Sequence, residues 1–558
     1  MFHFNYYDMK NIFKNQINLF VLGVSLQVGM VGCSSFLDVD SPSVVTDKFY
    51  DSKEGQQKLL VDLYVKSRAV FNTGEMQYFG TDLYMAITEG ESERMFNGYD
   101  KTFNGTAPVV GGYWNNLYKI VQESNILLTR TTADIAGTDY PKMVAKGKFF
   151  RALAYYYLVE TFGDVPLYLE EQKEVLKSVH RASEMQIYKQ LIEDLESAKG
   201  TLPFGNAELG EVNDAAIRFL LGKLYLTRAY KSYAVTTDFK DAAQNFMSIS
   251  QSGQYRLLGS YASVYDENNQ NNSEVIWAMQ YGTDKNYVGG GNPQQQLFGF
   301  NITALEPDLF VRNQADYSAM SRQYWVIPRV HEYFDNPDVD TRYDVTFKRS
   351  FIVNNPASKD FGKLGIYFPR WNDHSGNVVG ALRFYPFKNG NDYNWYPQST
   401  ALPVLTNAID RMPIIQKFKD TKMPWGGAGT REDVIYRLSD AYLLAAEAYL
   451  GMHQNQEALH LVNELRKRAA LSETAFNDQL KLSALSLDVL LDERARELMG
   501  EHDRWFDLKR TGKLIVRAKA NNPLVQKYNN LNPIHLLRPI PQDEINKTEG
   551  LTQNNGYN

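Results

Sequence analysis

The sequence predicts a mainly α protein, a tetratricopeptide-like scaffold of helical hairpins that carries a large irregular, loop-rich insert. Three observations predict it. Apolar residues recur at helical spacing in segment after segment between Ser52 and Ser250, and again after Glu432. Between residues 255 and 430 that period is lost, and residues 280–430 hold eleven of the 20 prolines and four of the seven tryptophans. With 44% apolar residues, the chain can bury a large core.

Ile17 to Cys33 reads INLFVLGVSLQVGMVGC, behind Lys10 and Lys14. The run is short of the roughly 20 residues of a membrane span, and it has the layout of a secretion signal. It stops at the only cysteine of the chain, after the small Gly32. A bacterial lipoprotein receives its diacylglycerol on a thiol placed there. Residues 1–32 are therefore expected to be a lipoprotein signal peptide and Cys33 the lipid attachment site. Met30 stands where the usual box has Leu, and MKNIFKNQ from Met9 makes a more ordinary start than Met1. Two or three acyl chains, at about 0.8 kcal/mol per buried CH₂, would hold the protein on a membrane. Residues 33–50 follow as a polar tether.

Residues 51–254 form a first helical region. Leu59, Leu60, Leu63 and Tyr64 stripe a helix from Ser52 to Phe71. Glu89 to Gly105 has the composition of a loop, with Phe96, Tyr99 and Phe103 expected to be exposed. Trp114, Leu117, Tyr118 and Val121 mark the next helix. Lys148 to Phe162, KFFRALAYYYLVETF, is apolar around most of its circumference and is expected to be buried between neighbours. Ser183 and Gln186 form a capping box that opens a further helix. Asn213–Tyr230 and Asp238–Ser250 follow.

Residues 255–430 read as irregular, with short strands at Val275–Gln280 and Arg383–Tyr385. A long irregular region mounted on a rigid scaffold commonly carries binding, so this part is expected to build the ligand face. In residues 431–558 helix restarts at Glu432. Leu438, Ala441 and Ala445 face Ala458, Leu461 and Leu465 across a turn at Gly451. Leu487–Leu498 begins another helix, and the tail from Leu536 reads as extended.

The net charge of −6 argues against a nucleic-acid partner. A single cysteine excludes internal disulfides and a Cys-based metal site. His331-Glu332 does not continue into HExxH, and Gly512-Lys513-Leu514 lacks the other P-loop residues. Arg494, Glu497, Glu501, Arg504 and Asp507 read as an ion-pair network. Catalytic carboxylates would need a set separation across a sugar-sized cleft. No catalytic residue, metal ligand or cofactor is expected. The candidates for ligand contact are aromatic, because flat rings match the apolar faces of sugars. They are Phe96 and Tyr99 in the first loop, and Tyr287, Tyr324, Trp325, Trp371 and Trp395 in the irregular region. Trp114 and Trp505 lie in helical motifs and are expected in the core.

Several stretches carry a family resemblance. They are CSSFLDVDSP at 33–42, FFRALAYYYLVETFGDVPL at 149–167, LLGKLYLTRAY at 220–230 and DVDTRYDVTF at 338–347. YRLSDAYLLAAEAYL at 436–450 and DERARELMGEHDRWFDLKRTGKL at 492–514 complete them. The chain resembles the SusD/RagB family, outer-membrane nutrient-binding lipoproteins of Bacteroidetes. Asp440, His502 and Asn555 depart from the usual Glu, Gly and Pro. The resemblance implies a SusD-like fold and a surface-exposed, lipid-anchored binder at the cell outer membrane, not an enzyme. It implies an oligosaccharide ligand and a SusC-like TonB-dependent transporter as partner. A peptide ligand, or a helical scaffold that binds only the transporter, are the alternatives.

Overall fold

The computed structural model describes residues 47–86, 91–174, 176–205, 210–282, 291–299, 302–312, 324–385, 413–423 and 429–557. Apart from Asp47 they belong to one compact unit, Lys48–Asn558. The expected signal peptide, Cys33 and the expected tether up to residue 46 lie outside the described residues.

Helices dominate. α1 is Lys53–Asn72, α2 Glu91–Gly98, α3 Pro108–Arg130 and α4 Tyr140–Phe162. α5 is Glu184–Ala198, α6 Asp214–Arg228 and α7 Asp238–Gln251. After the insert come α8 (Leu438–Gly451), α9 (Asn455–Ala469), α10 (Leu487–Glu497), α11 (Arg504–Arg510) and α12 (Leu514–Asn521). α1 packs on α3, α3 on α4, and each helix on the next as far as α7. α8 then packs on α7, and α9 on α8. Residues 252–437 are therefore an excursion between two neighbours of one array of antiparallel helices, as the periodicity implied.

α4 is buried along its whole second half, from Phe149 to Phe162. Even its Arg151 is enclosed, with two bonds of 2.8–2.9 Å to Asp194 on α5 and one of 3.0 Å to Asn125 on α3. Ser183 and Gln186 make the expected capping box at the start of α5.

Three sequence readings are corrected. Residues 91–98 are helical. Phe96, Tyr99 and Phe103 are buried, at 0%, 2% and 2% exposure, because their rings surround the guanidinium of Arg538, far away in the chain. Residues after Glu432 form a strand, Asp433–Arg437, before α8 begins. That strand pairs antiparallel with Val275–Met279, the strand expected at 275–280. The tail is not simply extended, since Gln542–Lys547 is helical. The insert also contains a small three-stranded sheet, Ser350–Ile352, Leu364–Tyr367 and Arg383–Phe384. Phe310, Phe351, Ile366 and Phe368 give it a core of its own.

The insert is locked to the helical array through α10. Glu493 meets Arg342, Arg466 and Arg496 at 2.7–2.8 Å. Glu497 meets Arg437 at 2.7 Å and Arg342 at 3.3 Å, and also pairs with Arg468. Just beyond α10, Glu501 is 2.7 Å from both Arg437 and Lys417. Arg494 joins Asp507 and Asp440 at 2.6–2.7 Å. These are ion pairs in a packed interior, as read from the sequence, and not facing carboxylates. Burying a charge costs several kcal/mol per ion. Here each glutamate offsets that cost by meeting two or three cations. Burial alone would raise the Glu493 and Glu501 carboxyls, but the surrounding cations hold both at about 2.

Candidate functional site

Arg68 and Asn72, near the C-terminal end of α1, meet Tyr281 and Glu432, which flank the paired strands Val275–Met279 and Asp433–Arg437, and together they form a rim. Tyr84–Ala86 pairs with Tyr324–Val326. Gly291 bridges to Gly429, next to the end of the pairing between Val275–Met279 and Asp433–Arg437.

Four polar or aromatic side chains meet here. The Arg68 guanidinium lies 4.4 Å from the centroid of the Tyr281 ring and donates to the carbonyl of Gln280 at 2.5 Å. The Asn72 amide donates to the Tyr281 hydroxyl at 3.2 Å. The Tyr281 backbone N–H donates to Glu432 Oε2 at 2.7 Å. Burial raises the Glu432 carboxyl to about 7, helped by Asp433 and opposed by that hydrogen bond and by Arg68. A carboxyl held near 7 accepts or donates a hydrogen bond close to neutral pH, which suits contact with hydroxyls.

Beneath the rim lies an aromatic floor. Tyr324 packs edge-on against Phe79 at 4.8 Å and against Phe298 at 5.5 Å, and its hydroxyl donates to Glu75 at 3.3 Å. Gly74 is required there: a Cβ would stand 2.6 Å from the Tyr324 ring and 2.7 Å from Tyr78. The Tyr78 hydroxyl contacts His502 Nδ1 at 3.0 Å, and His502 Nε2 contacts Asp433 at 3.0 Å. Burial disfavours the His502 cation, but Asp433 outweighs it and raises the imidazole pKa. His502, one of the departures from the family pattern, thus ties the floor to the strand below Glu432.

The aromatic candidates within the described residues do not form one exposed surface. Phe96 and Tyr99 are core residues around Arg538. Tyr324, at 3%, is buried in the floor of the rim, and Trp325, at 9%, lies in the adjoining strand opposite Met85. Trp371 is half-buried and separate. Its indole N–H donates to the carbonyl of Phe334 at 2.9 Å, which leaves part of the ring accessible. Tyr287 and Trp395 lie outside the described residues. Arg68, Asn72, Tyr281 and Glu432 were missed. Tyr281 had a signal, since it stands where strand 275–280 gives way to the Gly-rich stretch at 289–291. Arg68 had none, because a polar residue on an amphipathic helix is ordinarily solvated. Among the described residues no group of three His, Cys, Asp or Glu could hold a metal ion, and no helix is long and apolar enough to cross a membrane.

Comparison with known proteins adds to this geometry. A family model described as "SusD family" matches residues 273–557, and one described as "Starch-binding associating with outer membrane" matches 35–226. The chain is 24% identical to SusD-like protein P25 of Formosa agariphila, over 97% of this chain and 100% of that one. It is 26% identical to the starch-binding protein SusD of Bacteroides thetaiotaomicron, over 74% of this chain and 72% of that one. Among solved structures, a laminarin-binding SusD-like protein superposes with a TM-score of 0.66 at 23% identity, over 91% of this chain and 100% of the other. A SusD homologue from B. thetaiotaomicron gives 0.69 at 17% identity, over 91% and 99%. At these identities the structural likeness is one of fold.

Proposed function

Starting from the fact that this chain belongs to the SusD family, we propose that it is a non-catalytic glycan-binding lipoprotein of the outer membrane that hands oligosaccharide to a SusC-like TonB-dependent transporter. The observation that supports this reading best is the rim. Arg68, Asn72, Tyr281 and Glu432 meet at the end of the paired strands Val275–Met279 and Asp433–Arg437, and buried ion pairs to Glu497 and Glu501 hold Arg437 at the other end of the second strand. Tyr281 is buried at 6% exposure, and around it the half-buried Arg68 guanidinium, Asn72 amide and Glu432 carboxyl offer partners to ligand hydroxyls. The relatives named for starch and laminarin support a glycan as the ligand class. Trp371, Tyr287 and Trp395 remain proposed contacts. Cys33 is proposed as the acylated residue that places the protein at the cell surface.

The test is an array of plant, algal and host oligosaccharides, followed by titration of the best ligand and chromatography of the mixture. Saturable binding with the oligosaccharide recovered intact is expected. Tyr281→Ala is expected to weaken it at least tenfold. Cleavage of the ligand would reject the non-catalytic reading. An empty array with peptides enriched from a digest would move the ligand class to peptide. Incorporation of labelled palmitate into the parent chain but not into Cys33→Ala tests the anchor.

A further inference from the structure

A concave site that shares no lining residue with the rim lies in a bowl of about 820 Å³ between the chain after α2 and the C-terminal tail. That volume falls inside the roughly 300–1,000 Å³ of small-molecule sites. Its floor is made by Tyr99, Phe103, His535 and Tyr557, all nearly buried. Both tyrosine hydroxyls are already engaged with backbone carbonyls, Tyr99 with Gly80 at 3.0 Å and Tyr557 with Leu537 at 2.8 Å. What these rings can show the bowl is therefore carbon. His535 Nδ1 accepts from the Asn532 N–H at 3.1 Å, so the proton of the neutral ring sits on Nε2. Burial, together with the charge of Arg538, lowers the His535 pKa to about 4, and the ring is neutral at physiological pH.

The rim of the bowl is polar. Asn104, Asn530 and Asn532 brace the surrounding turns: Asn104 accepts from the Thr106 N–H, Asn530 donates to Gly98, and Asn532 donates to the Asn530 carbonyl, at 2.8–3.0 Å. Among the described residues no hydrogen bond engages the Asn529 side chain. Tyr99 and Asn529 both take left-handed backbone angles, with φ of 48° and 50°; Asn529 does so as the cap that ends the short helix Pro523–Tyr528, a position that suits Asn.

The charge is one-sided. Lys101 and Lys519 line the bowl, and neither forms an ion pair among the described residues. The one carboxylate in the lining, Asp100, caps its own turn through the Thr102 N–H at 2.9 Å. Behind the floor lies Arg538, fully buried. Its guanidinium stands 4.4 Å from the Trp505 ring, 4.9 Å from Phe103 and 5.7 Å from Tyr99. Among the described residues none of its three nitrogens has a hydrogen-bond partner. Ring faces stabilise a desolvated cation by about 2 kcal/mol or more, but they do not neutralise it. Three cations thus act on a bowl that holds one committed carboxylate.

We propose that this bowl is a second saccharide subsite, which selects a sugar unit carrying a carboxylate or a sulfate. The exposed Ile534 side chain, with the ring edges of the floor, meets the C–H face of a pyranose. The free amide of Asn529 and the carbonyl oxygen of the Asn530 amide serve hydroxyls. The ammonium groups of Lys101 and Lys519 meet the anion. Anionic groups other than sugars lack the hydroxyls that the amide rim would serve.

The experiment titrates the full chain with three probes: trigalacturonate, a κ-carrageenan tetrasaccharide and a neutral galactan oligosaccharide. Lys101→Gln/Lys519→Gln removes both charges while keeping polar side chains at an exposed and a half-buried position, and its thermal unfolding reports retained folding. Binding of at least one acidic probe is expected. The double variant is expected to weaken it at least tenfold without altering the neutral probe, and Tyr281→Ala is expected to leave it unchanged. The acidic probe that binds tells carboxylate from sulfate. No binding of either acidic probe, equal binding by the double variant, or tighter binding of AMP than of both acidic sugars would overturn the proposal. Loss of acidic binding in Tyr281→Ala alone would assign it to the rim and also overturn it.

Discussion

Glu497 sits between Arg342, Arg437 and Arg468, with its carboxylate fully enclosed. Glu497→Gln would leave three guanidiniums with too little negative charge. Breaking a buried pair from one side costs about 3–5 kcal/mol, so the urea midpoint is expected to fall by that equivalent; a loss under about 1 kcal/mol would show that the network adjusts. Glu432 behaves oppositely. Its carboxyl is raised from 4.5 to about 7, so it binds its proton more tightly folded than unfolded. The stability it contributes is fully present below pH 4.5 and is lost as pH rises through 7. Glu432→Gln keeps an acceptor for the Tyr281 N–H. The melting temperature of the variant minus that of the parent should therefore grow between pH 5 and pH 8. Parallel curves would place the titration elsewhere.

The strand pair Tyr84–Ala86 with Tyr324–Val326 depends on one close approach at the element scale. Gly74→Ala would drive a Cβ into the Tyr324 and Tyr78 rings. Overpacking of this kind costs about 1–3 kcal/mol, and the variant is expected to lose that stability and to weaken ligand binding at the rim. Retained stability and affinity would show that Tyr324 moves aside freely. Elements were legible where local pattern decided them. The mostly apolar α4, the capping box at Ser183 and the α8–α9 hairpin each carry their signal within one contiguous stretch of chain. Residues 89–105 were not legible, because three glycines and scattered charges resemble a loop, while the partner that buries Phe96, Tyr99 and Phe103 is Arg538 in the tail. The strand after Glu432 escaped for the same reason, since its partner lies at 275–279.

At the scale of the whole molecule, the buried ion pairs set the acid limit. Glu160, Glu493, Glu501 and Asp507 are each held at about 2 by neighbouring cations, against ordinary values of 4.5 for Glu and 3.8 for Asp. Depressed carboxyls contribute stability above their unfolded pKa and lose it as pH falls through the folded value. Helical circular dichroism is expected to hold at pH 5 and to collapse between pH 4.5 and 2. An unchanged helical signal at pH 2 would mean that apolar packing alone carries the fold. The sequence showed that an irregular insert interrupts a helical array, because the loss of period and the prolines mark it. It did not show where the ligand face lies on that insert. Aromatic content was a poor guide, since burial claims most rings, and Arg68 and Tyr281 meet only when α1 and the strand at 275–279 pack together.

The central claim is that ligand is taken at the rim, on a scaffold that does not move. Hydrogen exchange of the full chain, with and without the oligosaccharide selected on the array, tests it most directly. Protection is expected at residues 68–86, 275–282 and 429–434, with α5, α6 and α7 unchanged. Protection confined to the helical array, with none at the rim, would contradict the account.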